Sequence, residues 1–343
     1  TKDQQRRPTP QLVPPKLVVL MRKTIPLMHQ PGLQRTMTNE LVNQRHSMVH
    51  HALGTKIVLT LFGDRYYPLL ARSMRLIDEY EDRLTVNRPE SEVMSVNHAA
   101  GKGPKVVTPS TYELIKLAVK YSRENFGFNA LIGPLVKLWK IGFTGANVPQ
   151  DADIQERLKL IDPYKVLLDD DYRTVFLEEA GMELDLGGIA KGYIADRVRD
   201  FWIEQGVQAG IINLGGNLLF VGKSPRREDG QWVIGVQDPR LKRGDDIEIV
   251  RKPACSAVTS GIYERFLEVN GKKYHHLLDP RTGYPLQTDL SSVTVFTEQS
   301  VMGEIEAKRL FFNGEPINGW QKQPGNLGAV FIKQDESLLE VNV

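Results

Sequence analysis

The chain has 343 residues, of which 41% are hydrophobic and 25% charged, with 44 Lys and Arg against 42 Asp and Glu. This composition is typical of a soluble globular protein of one or two domains, and a formal net charge of +2 provides no broad basic surface for nucleic acid. A single cysteine, Cys255, excludes an intrachain disulfide and a thiolate metal cluster. No stretch approaches the roughly 18–20 apolar residues of a membrane span, so we predict no transmembrane segment.

The first 45 residues differ in composition from the rest. They are rich in proline, glutamine and basic residues, and they show neither the apolar core nor the cleavage site of a secretory signal. Because the prolines interrupt any regular element, we predict an extended arm over 1–45 and one large domain over 46–343.

Local patterns in the first half predict alternating strands and helices. Apolar residues at helical spacing indicate a helix over 67–84, and Ser91 is placed to cap a short helix through 97. Further predicted elements are a strand over 54–62, a helix over 108–126, loop and short helix over 127–139, a helix within 147–161, and a hairpin of 166–168 with 174–177.

The second half is richer in strands. We predict helices over 190–205 and 304–312, with strands over 210–213, 217–221, 232–236, 247–250, 254–258, 266–269, 292–296, 328–332 and 338–343. The fold class is therefore α+β, a mixed, strand-rich core with helices packed on the sheet.

The segment 183–196 carries the densest chemistry. We predict that an apolar strand delivers Asp185 to a turn, that Gly187 and Gly188 let the backbone approach a ligand, and that Lys191 lies in the first turn of a helix. This arrangement can hold a phosphate ester, although a plain glycine turn at a helix start explains it as well. The spacing is neither that of a P-loop nor that of a dinucleotide-binding Rossmann unit.

Two further polar clusters follow. The 213–216 segment, Asn-Leu-Gly-Gly, is either a second ligand-binding turn or an ordinary bulge or tight turn. Thr259, Ser260 and Gly261, read as a turn and followed by Arg265, offer hydroxyls, backbone N–H groups and a guanidinium to anionic oxygens. A polar turn between strands explains the second cluster equally well.

The last two candidates lie nearer the C-terminus. His276, beside a 279–283 turn, can accept a proton near neutral pH, or it can be structural. Glu304 and Lys308 open the predicted last helix, where they are either an i,i+4 pair on a solvated face or a site at which Glu304 binds Mg²⁺.

Taken together and in order, these motifs resemble the ApbE family of FAD:protein FMN transferases. The resemblance runs from about Ala52 to the C-terminus and includes six segments: 53–55, 91–97, 127–139, 185–192, 213–216 and 259–283. It implies an ApbE-like, T-fold-related architecture. It also implies an Mg²⁺-dependent enzyme that takes FAD, releases AMP and joins FMN through its phosphate to a threonine or serine of a partner flavoprotein.

The resemblance assigns roles to residues of this chain. His276 is the expected proton acceptor, and Asp185 and Lys191 match FAD-contacting positions. The other expected FAD-binding residues are Leu53, Asn87, Phe128, Asn129, Thr259, Ser260, Gly261, Arg265 and Leu277. The family's metal ligands, a backbone carbonyl, an acid and a threonine, fall at Gly188, Glu304 and Lys308.

Several positions depart from the family pattern. The most consequential is Lys308, which stands at the position of a threonine ligand and cannot bind Mg²⁺ while it is charged. Either its side chain swings aside, or its charge stands near the diphosphate where the cation normally would. The chain also has Leu53 for a usual methionine, Asn87 for a tyrosine, Asn129 for an aspartate and Ile262 for a polar residue.

Three hypotheses follow. The first is an active FMN transferase, the second an FAD-binding family member with weak or no transfer, and the third a hydrolase that splits FAD into FMN and AMP. The resemblance also implies an extracytoplasmic, membrane-associated or cell-surface location, with the cytoplasm as the alternative.

Overall fold

The computed structural model describes residues 38–242 and 244–343. The first half of the chain contains helices and short strands, in the order α1 (Thr38–Asn43), β1 (Arg45–Ala52), β2 (Thr55–Phe62), α2 (Tyr67–Leu84), α3 (Glu92–His98), β3 (Lys105–Val106), α4 (Pro109–Arg123), α5 (Gly133–Trp139), α6 (Asp151–Leu158), β4 (Val166–Asp169) and β5 (Thr174–Leu177).

The second half supplies most of the strands. It contains α7 (Ala190–Glu204), β6 (Ala209–Leu214), β7 (Leu218–Gly222), β8 (Trp232–Gln237), β9 (Asp246–Lys252), β10 (Ser256–Gly261), β11 (Phe266–Val269), β12 (Lys272–His275), β13 (Leu290–Thr297), α8 (Ser300–Asn313), β14 (Asn326–Lys333) and β15 (Leu338–Val341).

An eight-stranded antiparallel sheet organises the domain, with strand order β1-β2-β6-β7-β10-β13-β14-β15. Strand β10 pairs with β7 only at Ser256 and Ala257, whereas it pairs with β13 along its whole length. The residues of β10 beyond Ala257 therefore lack a β7 partner.

The two faces of the sheet are covered differently. Because side chains alternate along a strand, Val258 and Val295 pack with α8 residues on one face, whereas Ala257 and Phe296 pack with the β8–β9 hairpin on the other. The largest hydrophobic cluster lies between the helices and the helix-covered face. The molecule is thus a central sheet with helices on one side and a hairpin on the other.

Most predicted elements are confirmed. Helix α2 spans the predicted residues, with Leu70, Met74 and Ile77 buried, and the Ser91 hydroxyl caps α3 by accepting a hydrogen bond from the Met94 N–H at 2.9 Å. The α+β class is also confirmed. No helix in the described residues is long and apolar enough to span a bilayer.

Four local expectations were wrong. The predicted arm lies mostly outside the described residues, but its last part contains α1 and the start of β1, neither of which was predicted. Residues 182–186 form no strand, and Thr259–Gly261 end strand β10 instead of forming a turn. Helix α8 begins at Ser300, so Glu304 and Lys308 lie in its interior turns.

Candidate functional site

A cleft of about 1300 Å³ opens where β7 and β10 separate, and it continues between the start of α7 and helix α8. Its lining includes every residue for which the sequence predicted a site role: Leu53, Asn87, Phe128, Asn129, Asp185, Gly188, Lys191, Thr259, Ser260, Gly261, Arg265, His276, Leu277, Glu304 and Lys308. Residues far apart in the sequence therefore share one cavity.

The Asp185 turn is held by hydrogen bonds from neighbouring segments. Asn97 accepts the Leu184 N–H at 2.7 Å and donates to the Leu184 carbonyl at 3.0 Å, and the Asp185 N–H donates to the Ala130 carbonyl at 2.8 Å. The Asp185 carboxylate accepts the Gly187 N–H at 2.8 Å. Side-chain and loop contacts, rather than a strand, therefore position this turn.

Burial is the main cause of the pKa shifts of two groups in this region. It raises the pKa of Asp185, although the Gly187 N–H and Lys137 act in the opposite direction. Burial also lowers the pKa of Lys191, which lies in the first turn of α7, and the nearby Glu304 carboxylate opposes that shift. Perturbed groups of this kind that share a cleft are typical of binding and catalytic sites.

Glu304 and Lys308 form a nearly buried ion pair, with side chains 11% and 13% exposed. Lys308 Nζ lies 3.1 Å from Glu304 Oε2 and donates a hydrogen bond of 2.6 Å to the Gly188 carbonyl. The predicted i,i+4 pair exists, but it is nearly buried and does not lie on a solvated helix face. Lys308 thus contacts both of the other residues predicted as metal ligands.

Asn217 fixes the other oxygen of Glu304. Its Nδ2 donates to Glu304 Oε1 at 2.9 Å, while its Oδ1 accepts the Ser300 hydroxyl at 2.9 Å. Asn217 and Glu304 are both buried, so the carboxylate is held by short bonds away from solvent. Asn217 was not among the predicted site residues, because an asparagine after a glycine pair is common in turns.

A side chain of helix α7 binds the first turn of helix α8. The Asp196 carboxylate accepts the backbone N–H groups of Ser300 and Val301, both at 2.8 Å, and so satisfies amides that begin α8. One turn earlier on the same helix, a Cβ on Gly192 would come within 2.4 Å of the Ser300 carbonyl oxygen. Glycine at this position lets the two helices approach closely.

His276 follows β12 at the rim of the cleft. Its Nδ1 lies 3.1 Å from the Arg265 carbonyl oxygen, which can only accept, so Nδ1 carries the proton and Nε2 of a neutral ring keeps its lone pair. Burial lowers the pKa of His276 to about 4, and the positive charges of Arg265 and Lys308 act in the same direction. The adjacent His275 is buried and bonded to the Leu286 carbonyl, as expected for a structural histidine.

The residues at the end of β10 point to opposite faces of the sheet. The Thr259 hydroxyl forms a 2.7 Å hydrogen bond with the Thr294 hydroxyl on the face that carries the hairpin. Ser260 is buried and follows the alternation to the helix-covered face. Both line the cleft because it extends past the unpaired edge of β10.

The remaining predicted FAD-binding residues differ in how free they are to contact a ligand. Phe128 is buried and stacks on Phe126 with ring centroids 6.4 Å apart. The Asn129 amide donates to the Ile161 carbonyl and accepts the Leu131 N–H, so both of its ends are used for local structure. Leu53 has a positive φ of 55° in the β1–β2 turn, whereas Asn87 is exposed.

The side chains at the predicted metal position do not fit Mg²⁺. Gly188 and Glu304 supply oxygen atoms, but the ammonium of Lys308 takes the third position and already bonds to both partners. No group of three or more His, Cys, Asp or Glu side chains in residues 38–242 and 244–343 could hold a metal ion.

Comparison with known proteins identifies the family. The profile of the ApbE family matches residues 53–331. A curated relative, the FAD:protein FMN transferase of Klebsiella pneumoniae (strain 342), is 44% identical over 299 residues, which cover 87% of this chain and 92% of the relative. The chain belongs to the ApbE family. A second relative with the same name, from Treponema pallidum (strain Nichols), is 33% identical over 310 residues, covering 85% of this chain and 86% of the relative.

The fold agrees with this membership. The crystal structure of the ApbE protein of Thermotoga maritima superposes with a TM-score of 0.76 at 28% identity, covering 87% of this chain and 97% of that one. The predicted family, ApbE-like fold and transferase class are therefore confirmed. Individual residue roles remain predictions that rest on the geometry of the ApbE cleft.

Proposed function

We propose that this ApbE-family chain transfers FMN from FAD to a threonine or serine hydroxyl of a partner flavoprotein, through a phosphoester bond, with release of AMP. The relatives that carry the name FAD:protein FMN transferase support the general activity. The observation that carries the proposal is one cleft that contains a fixed ammonium group, a second lysine and a neutral histidine.

The chemistry requires one bond to form and one to break. The acceptor hydroxyl oxygen attacks the phosphorus that bears the riboflavin moiety, and the bond from that phosphorus to the bridging oxygen breaks. The bridging oxygen leaves with AMP together with the bonding electron pair. The products are the flavinylated acceptor, AMP and the proton of the hydroxyl.

His276 is the expected acceptor for that proton. A hydrogen bond from Nδ1 to the Arg265 carbonyl orients the ring and leaves Nε2 free to accept. Since burial lowers the His276 pKa to about 4, the ring is neutral and able to accept a proton at neutral pH. We expect Lys191, which lines the cleft at the start of α7, to offset the negative charge that develops on the diphosphate.

The Mg²⁺ that the family resemblance implies forms no part of this sequence of events. Lys308 donates to the Gly188 carbonyl, which the resemblance assigns to the metal. The steps above therefore use only groups of the chain itself.

The test is a three-product assay. The purified protein is incubated with FAD and a panel of flavoproteins known to carry FMN on threonine or serine, and then analysed by in-gel flavin fluorescence, acceptor mass and chromatography of nucleotides. The proposal expects a covalent flavin on one acceptor with an equal amount of AMP.

Two other outcomes would overturn it. Free FMN and AMP without any flavinylated acceptor would identify an FAD hydrolase. Tight FAD binding without AMP release across the panel would identify a binding protein.

A further inference from the structure

The ammonium of Lys308 occupies a position defined by buried oxygen atoms from two parts of the chain. Nζ lies 2.6 Å from the Gly188 carbonyl oxygen, 3.1 Å from Glu304 Oε2 and 3.3 Å from the Glu304 carbonyl oxygen. A charged amine has three donor hydrogens and no acceptor, so these oxygen atoms suit it fully. The longest contact, to the Glu304 carbonyl oxygen, is also the weakest of the three.

The groups around Lys308 Nζ are each held by further hydrogen bonds. Asn217 binds the second oxygen of Glu304, and Ser300 binds Asn217. Asp196 caps the first turn of α8, the helix that carries both Glu304 and Lys308. The ammonium group is therefore a preorganised positive charge, which needs no rearrangement when negative charge develops nearby.

The Lys308 charge acts on the interior of the cleft. Lys308 contributes to lowering the pKa of both Lys191 and His276, and both of these residues line the same cavity. Its side chain is only 13% exposed, so water screens this charge less than that of a surface lysine.

A divalent cation would compete with this ammonium for the same oxygen atoms. Mg²⁺ requires oxygen ligands at about 2.0–2.1 Å, and here the Gly188 carbonyl and the Glu304 carboxylate already accept hydrogen bonds from a positive group. A cation bound to these two oxygen atoms would lie close to the positive charge of Lys308. This repulsion is unfavourable in a partly buried site.

We propose that the Lys308 ammonium replaces a divalent cation between Gly188 and Glu304, so that this chain neutralises the FAD diphosphate with its own side chain and needs no metal there. This inference rests on the proposed transferase function for its catalytic meaning. Its structural part, the exclusion of a metal from this position, can be measured without activity.

The experiment compares the wild type with Lys308→Thr, which restores an oxygen donor, and Lys308→Met, which keeps the length of the side chain but removes the charge. Covalent flavin on the acceptor and AMP release are measured in EDTA and across an Mg²⁺ titration. Binding of Mn²⁺ is measured in parallel by electron paramagnetic resonance, with and without FAD. Lys116→Thr serves as the control, because Lys116 is an exposed helical lysine paired with Asp170.

We expect the wild type and Lys116→Thr to transfer FMN equally well in EDTA and in Mg²⁺, and neither to bind Mn²⁺ at this site. Lys308→Thr should lose transfer by about 100-fold or more in EDTA, recover with Mg²⁺ and bind Mn²⁺. Lys308→Met should stay impaired in both conditions. Thermal unfolding of each variant separates these effects from loss of folding.

Loss of wild-type transfer in EDTA with recovery in Mg²⁺, or stoichiometric Mn²⁺ binding by the wild type, would overturn the inference. If the wild type transfers no FMN under any condition, the proposed function fails, and Mn²⁺ binding alone still decides the metal question. In that case Mn²⁺ binding by Lys308→Thr but not by the wild type supports the exclusion of the metal, and binding by both refutes it.

Discussion

Asn97 holds the backbone of Leu184 through both ends of its amide, accepting at 2.7 Å and donating at 3.0 Å. Asn97 is buried and lies on helix α3, 87 positions before Leu184 in the chain. The next residue, Asp185, begins the turn that leads to Gly188 and Lys191. The Asn97 side chain on α3 therefore fixes the position of the backbone that enters the Asp185 turn.

Replacing Asn97 with Ala should destabilise the fold and loosen this turn. The change leaves the Leu184 N–H and carbonyl without their partners, at about 1–3 kcal/mol for each buried group that stays unpaired. We expect a lower free energy of unfolding in urea and weaker FAD binding. Asn147→Ala is the control, because the Asn147 amide likewise makes two hydrogen bonds to the backbone, both as donor to carbonyl groups, but is exposed. Equal effects of the two changes would contradict the assigned role of Asn97.

Replacing Gly192 with Ala should push α7 and α8 apart. Alanine favours a helix over glycine by about 1 kcal/mol. The new Cβ, however, would lie 2.4 Å from the Ser300 carbonyl oxygen and 2.7 Å from Glu304 Cγ. Because a backbone oxygen cannot rotate away, overpacking of about 1–3 kcal/mol should outweigh the gain. The variant should melt at a lower temperature and transfer FMN more slowly.

The matched control for this substitution is Gly103→Ala, where an added Cβ meets nothing within 4 Å. It should leave the melting temperature nearly unchanged. A melting temperature for Gly192→Ala at or above that of the wild type would show that the helices adjust without cost.

Replacing His276 with Ala should separate binding from transfer. Loss of a general base typically lowers the rate by about 10²–10⁴-fold. Binding of FAD, followed by flavin fluorescence, should change little, because the His276 bond in this structure goes to the Arg265 carbonyl. The exposed His98 on α3 provides the control substitution. Loss of FAD affinity together with rate would instead assign His276 a structural role.

The pH dependence should reflect the unusual state of His276. Its pKa of about 4 lies below the ordinary value of 6.5, so the ring remains neutral as the pH falls through 6.5 and becomes protonated only near 4. Since the neutral ring is the base, transfer at saturating FAD should show no decline near pH 6.5 and should fall as the pH approaches 4. Histidine NMR, with His276→Ala used for assignment, measures the pKa directly.

The lowered pKa of His276 also makes the free energy of unfolding depend on pH. The unfolded state takes up a proton on this histidine near pH 6.5, before the folded state does. The His276 contribution to the free energy of unfolding therefore decreases as the pH falls from about 6.5 to about 4. A titration in which the wild type and His276→Ala keep the same stability difference between pH 7 and pH 4 would argue against the lowered pKa.

The sequence by itself determined most of the local elements and many of the residues that line the cleft. Helix α2 and the Ser91 cap of α3 follow from side-chain periodicity and from a hydroxyl before a helix start, which act over a few residues. Asp185, Lys191 and His276 were found because their order along the chain resembles one family. The start of α8 was missed because its first amides are capped by Asp196, which lies 104 positions earlier.

Only the tertiary structure decided which partners these side chains meet. Lys308 and Gly188 are 120 positions apart, and Asn217 and Glu304 are 87 apart, yet each pair is joined by a hydrogen bond. A side chain's chemistry defines which bonds it can make, but packing of α7, α8 and the sheet selects the bonds that form. For this reason the sequence alone showed a lysine at a metal position, and the fold showed that its ammonium lies between the oxygen atoms assigned to the metal.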